Sequence, residues 1–136
     1  PLQAAQPDKI APPGDDHVDL NAWQAIRARQ RPGQPDLLHK ALSLYLPHAD
    51  AQLIQLQQAV AGADIQSVKT IAHMMKSSTA QLGAPRLADL YAQIEATCRA
   101  GTVDNLPDLC GHLIPEHRAV CTLMRQELNR AGRSAA

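Results

Sequence analysis

Aromatic residues are nearly absent from this chain. Its 136 residues include Trp23, Tyr45 and Tyr91 and no phenylalanine, 2% in all. Alanine, leucine and glutamine dominate instead, which favours helix over sheet. Net charge is also missing, because 13 basic residues balance 13 acidic ones. No basic face follows from that balance, so nucleic acid is not an expected partner. Long apolar runs are lacking too. None approaches the ~20 residues of a membrane span, so no direct membrane contact is expected. No secretory signal pattern is read. Cysteine is sparse and odd in number. Cys98, Cys110 and Cys121 are too widely spaced for a disulfide framework. They read as small buried hydrophobes of a reducing compartment, which points to the cytoplasm. Sustained strand alternation and internal repeats are absent as well.

What is present reads as helices in one domain. Apolar residues make up 45% of the chain, enough to predict folding rather than disorder. Residues 1–17 carry Pro1, Pro7, Pro12, Pro13 and Gly14 without an apolar period. They read as a flexible linker between domains. The opening Pro1-Leu2-Gln3 lacks an initiator methionine, so the chain is read as a piece of a longer protein.

A first short helix is predicted from about Asp19 to Arg29, with Asp19 as cap and Leu20, Trp23 and Ile26 on one side. A second begins near Pro35-Asp36, faced by Leu38, Ala41, Leu42 and Tyr45, and Pro47 is expected to kink or end it. Leu53, Leu56 and Val60 line a further helix that stops at Gly62. Asp64 caps the next one, and Gly83 ends it in a left-handed turn. Pro85 opens a helix faced by Leu87, Leu90, Tyr91, Ile94 and Cys98 and closed by Gly101. The last helix is predicted from about Leu106 to Arg130, kinked or split at Pro115, with residues 132–136 as a frayed tail. The fold expected is all-α: an antiparallel four-helix bundle over residues 18–131 with an additional short N-terminal helix.

Function is concentrated in the helix after Asp64. At about 100° per residue, Ile65, Val68, Ile71, Ala72, Met75, Thr79 and Leu82 fall in one sector. His73 lies roughly 160° from its centre and should point into solvent. Lys69 and Thr70 sit one turn before it, and Lys76 and Ser77 one turn after. Ala80 keeps the surface flat two turns on. An exposed imidazole, unperturbed near pH ~6.5, is mostly neutral at physiological pH. Its free ring nitrogen can attack phosphorus without a separate base. The two lysines would attract a phosphoryl dianion, at about 0–1 kcal/mol for each exposed pair. That is too little to catalyse transfer, so a partner must supply most of it, for example a Mg²⁺ ion and an aspartate. Spacing alone leaves an ordinary surface histidine open.

Other candidates are weaker. Cys110, His112, His117 and Cys121 are conceivable zinc ligands, but buried cysteines and surface histidines are the commoner outcome, and no metal is expected. His17, His39 and His48 are scattered and form no ligand motif.

The run His73-Met74-Met75-Lys76-Ser77-Ser78-Thr79-Ala80-Gln81-Leu82-Gly83-Ala84 resembles the signature of histidine phosphotransfer (HPt) domains. The similarity extends through Leu44-Tyr45-Leu46 and Leu87-Ala88-Asp89-Leu90 to Ile94-Glu95 and Arg99-Ala100-Gly101, and covers Val18 to Arg130. Ser77 stands where many members have glycine, and Met75 where leucine is commoner, a volume-preserving change. The resemblance implies a four-helix bundle and transient phosphorylation of His73, usually on Nε2. It implies a phosphorelay step in two-component signalling, from the aspartate of one receiver domain to that of another. Lys76 would support the phosphohistidine, with Lys69 beside it. Thr70, Ser77, Ala80 and Gln81 would form the docking face, and Gly83 the turn. The receivers would lie in the same parent protein and in a separate response regulator. The parent is expected to be a hybrid sensor kinase, possessing this module at its cytoplasmic end after a linker such as residues 1–17. Mg²⁺ is expected in the receiver, with no cofactor here. The isolated domain is expected to be a monomer, a phosphocarrier rather than an enzyme.

Two rivals remain in view. A histidine kinase's dimerisation and phosphoacceptor helix needs an acidic residue after the histidine and a proline soon after. Met74 follows here, no proline occurs before Pro85, and no ATP-binding half is present. The other is a helical interaction module that is never phosphorylated, against which an intact His73 and Lys76 argue.

Overall fold

The computed structural model describes residues 17–33 and 36–135, with residues 131–135 by backbone alone. The linker read over residues 1–17 lies almost wholly outside these residues. Five α-helices are present among them: α1 (Leu20–Ala28), α2 (Leu37–Ala61), α3 (Ile65–Gln81), α4 (Pro85–Ala100) and α5 (Leu106–Ala135). A 3₁₀ turn, Val103–Asn105, precedes α5. Strands are absent from the described residues. Helices α2 to α5 close an antiparallel bundle in which α3 packs on α2 and α4, and α5 packs on α4 and α2. The short α1 lies against α2.

Capping sets the starts of the helices. Asp19, Asp36 and Asp64 each accept a backbone N–H of the first turn, from Asn21, His39 and Ser67. Each thereby satisfies one of the donors that a helix start leaves unpaired. Inward faces then merge into one core. Leu42, Leu56, Met75, Tyr91, Leu113 and Met124 are completely buried in it. Tyr45 of α2 and Thr79 of α3 join hydroxyls across the core at 2.8 Å.

Neither internal proline ends or splits its helix. Helix α2 runs unbroken through Pro47, so the two helices expected on either side are one. Helix α5 runs through Pro115 without splitting and extends past Arg130 to Ala135. Both prolines are exposed, and the carbonyls they deprive belong to Ser43 and Gly111, exposed residues that water can satisfy. Meanwhile the buried stripes continue, through Tyr45, Leu46 and Ala49 in α2 and through Leu113, Val120 and Cys121 in α5. Several buried side chains outweigh the ~3 kcal/mol that an interior proline costs.

Gly83 does as expected. At φ 75° it ends α3 in the left-handed region. Ala84 N–H reaches Thr79 O and Gly83 N–H reaches Ala80 O, the paired bonds of a Schellman turn. The glycine has a second reason that only packing shows. Asp19 N–H donates to Gly83 O at 2.6 Å, and Trp23 Nε1–H donates to Leu82 O at 2.8 Å. A Cβ on Gly83 would stand 2.7 Å from Ala22 Cβ and 3.1 Å from Asp19 O. We therefore expect Gly83→Ala to destabilise the fold by roughly 2–4 kcal/mol, from left-handed strain plus displacement of α1. Urea unfolding measures the loss, and the emission of Trp23, the single tryptophan, should shift to the red. An unchanged urea midpoint would contradict it.

Candidate functional site

Helix α3 places His73 as its spacing dictates. Val68, Ile71, Ala72, Met75, Thr79 and Leu82 are buried, Ile65 is half-buried, and the His73 side chain is 61% exposed. The ring does not stand free in water, however. Its Nδ1 lies 2.8 Å from Oε2 of Glu95, on the neighbouring α4.

Glu95 organises the group. Its side chain is only 3% exposed, yet it carries a charge because three basic side chains surround it. Lys76 Nζ donates to Oε1 at 2.8 Å, and Arg99 Nη2 donates to Oε2 at 2.7 Å. His73 and Lys76 are three residues apart on α3, and Glu95 and Arg99 four apart on α4, so all four face one seam. The Lys76 hydrogen bond foremost, helped by those from His73 and the charge of Arg99, holds the Glu95 carboxyl down at about 2 against the opposing desolvation.

That low value determines the ring's chemistry. An ionised carboxylate only accepts hydrogen bonds, so Nδ1 of His73 must carry a proton and donate it. In the neutral imidazole the lone pair then belongs to Nε2. The exposed ring thus presents a nucleophilic nitrogen outward while its other nitrogen is anchored. Two permanent cations face one carboxylate, leaving an excess positive charge beside it.

The other residues named from sequence are distributed around this group. Thr70, Ser77, Ala80 and Gln81 are exposed, and Ser77 and Ala80 are small. Lys69 is half-buried and near enough to the Cys98 thiol to act on it electrostatically. No hydrogen bond or ion pair among the described residues joins Lys69 to His73. Lys76 reaches the carboxylate rather than the imidazole. Met74 is an exposed apolar side chain next to the histidine.

The Hpt domain family profile matches residues 40–134. This chain belongs to the Hpt domain family. No curated protein sequence matches it. Among solved structures, histidine-containing phosphotransfer protein B (HptB) from Pseudomonas aeruginosa PAO1 is similar, with a TM-score of 0.77 and 24% identity. The match covers 84% of this chain and 96% of that one and shows a shared fold. An Hpt domain is a phosphocarrier of two-component signalling, not an enzyme, and it interacts with receiver domains of response regulators. None of the described helices of this Hpt domain is long and apolar enough to cross a membrane.

Sequence reasoning missed Glu95 and Arg99 as site residues, placing them only within the segments that extend the resemblance. A signal was present. Glu95 lies four residues after Tyr91 and seven after Ala88, inside the buried stripe of α4. A carboxylate there requires a partner, since an unpaired buried charge is costly.

Proposed function

We propose that His73 accepts a phosphoryl group on Nε2 from the aspartate of one receiver domain and passes it to that of another. The observation that carries this reading is the Nδ1 contact with buried, ionised Glu95. In the forward step Nε2 forms the N–P bond as the acyl-phosphate P–O bond breaks, and the aspartate leaves as carboxylate. No proton has to leave Nε2. The ring becomes cationic as it reacts, and Glu95, 2.8 Å from Nδ1, stabilises that charge. Lys76 and Arg99 hold the carboxylate in place and favour the incoming dianion.

The receiver contributes the remainder, including Mg²⁺ in its own site. Small Ser77 and Ala80, flanked by Thr70 and Gln81, allow its close approach, and Met74 offers it an apolar contact. Lys69 adds positive potential at the edge of this face. Such a domain, acting as a monomer with His73 uncovered, suits the cytoplasmic end of a hybrid sensor kinase and relays to a separate regulator.

Incubating the chain with receiver domains radiolabelled on their aspartate tests this. The label should move to the chain in a linkage that acid breaks and alkali spares. ATP alone should give none. A label stable to acid, or one obtained from ATP, would refute the reading.

A further inference from the structure

A second cluster of chemistry-bearing side chains lies on the opposite seam, between α2 and α5, away from His73. His117 and Cys121 are four residues apart on α5 and project from one face. Asp50 reaches them from α2. His117 Nε2 is 2.8 Å from Asp50 Oδ1 and 3.5 Å from Cys121 Sγ, and the three potential ligand atoms lie within 4.8 Å of one another. His117 and Cys121 are buried, whereas the Asp50 side chain is 47% exposed.

We propose that Asp50, His117 and Cys121 bind a Zn²⁺ ion that ties α2 to α5. The donor set of thiolate, imidazole and carboxylate matches zinc and excludes the hard cations Mg²⁺ and Ca²⁺. A tetrahedral ion with Zn–S of about 2.3 Å and Zn–N of about 2.0 Å holds those two ligands about 3.5 Å apart. That is the spacing already present between Cys121 Sγ and His117 Nε2. The carboxylate has to withdraw by a few tenths of an ångström, and it belongs to the most exposed of the three residues. Arg125 Nη2 contacts the other oxygen, Asp50 Oδ2, at 3.3 Å and would orient the carboxylate as an outer partner.

Charge and protons balance. Cys121 releases its proton to solvent as the Zn–S bond forms, Asp50 is already a carboxylate, and His117 binds through Nε2 with its proton on Nδ1. Two anionic ligands neutralise the ion. Water takes the fourth position, entering past exposed Asp50. His117 Nδ1 is buried without a hydrogen-bond partner, so binding is weaker than at a site with four protein ligands and a complete outer shell. Neither Cys110 nor His112, considered with these residues from sequence, belongs to the cluster.

The test uses the whole chain with any polyhistidine tag removed. Titration with Co²⁺ should produce a thiolate-to-cobalt charge-transfer band that saturates at one equivalent and is bleached by Zn²⁺. Cys121→Ser should abolish the band, while Cys98→Ser and Cys110→Ser keep it. Asp50→Asn, at a half-exposed position, should weaken affinity at least about tenfold, since loss of an outer partner alone costs about 10–100-fold. It also carries the test if Cys121→Ser fails to fold. A titration with no band, a band that persists in Cys121→Ser, or an unchanged affinity in Asp50→Asn would overturn the site.

Discussion

His73→Gln should lose all phosphoryl acceptance from a phosphorylated receiver while far-UV circular dichroism is unchanged. Loss is complete because an amide nitrogen is not a nucleophile at this position, and no other histidine shares the site. Structure is spared because the imidazole is mostly outside the core, 61% exposed on the surface of α3. The glutamine amide can still donate to Glu95, so the buried carboxylate retains its Lys76 and Arg99 bonds and gains no uncompensated charge. Labelling that survives in this variant would remove His73 from its assigned role.

Glu95→Ala should slow transfer by about 10- to 100-fold, the range typical of losing a partner that orients a reactive imidazole. Without the carboxylate the proton is free to sit on either nitrogen, and the ring loses its anchor. Glu95→Gln separates the contributions. Its amide oxygen still accepts from Nδ1–H, so the tautomer survives and the rate should fall by less than about tenfold. Nitrogen NMR of the ring reports the difference directly: Nδ1–H predominates in the parent and the Gln variant but not in the Ala variant. An Ala variant that transfers at the parental rate would eliminate the positioning role. Acid adds an independent readout. The folded carboxyl titrates at about 2 rather than 4.5, so its stabilising contribution is full above about 4.5 and disappears as pH falls through about 2. Glu95→Gln should therefore flatten the dependence of stability on pH within that window.

These two results bear on different levels of legibility. His73 was readable because helical periodicity is local: six apolar positions and Thr79 define a sector, and the histidine lies opposite it. Asp19, Asp64 and Gly83 were readable for the same reason, since capping and left-handed turns act over three or four residues. Pro47 and Pro115 interrupt neither helix, because the cost of an interior proline is also local, whereas the burial that outweighs it comes from other helices. The stop at Gly62 was readable as well, since the helix ends at Ala61 with Gly62 as its cap, and the left-handed residue that follows is Ala63, at φ 57°.

The sequence by itself determined the all-helical class, the caps and the outward face of His73, because each depends on residues close together in the chain, within one helix or its first turn. Tertiary structure alone decided what the histidine touches. Glu95 is 22 residues from His73, and Asp50 is 67 from His117, so only the pairing of helix faces brings them within hydrogen-bonding distance. A hydrogen bond acts over about 3 Å, and periodicity shows which way a side chain points but not which helix stands opposite.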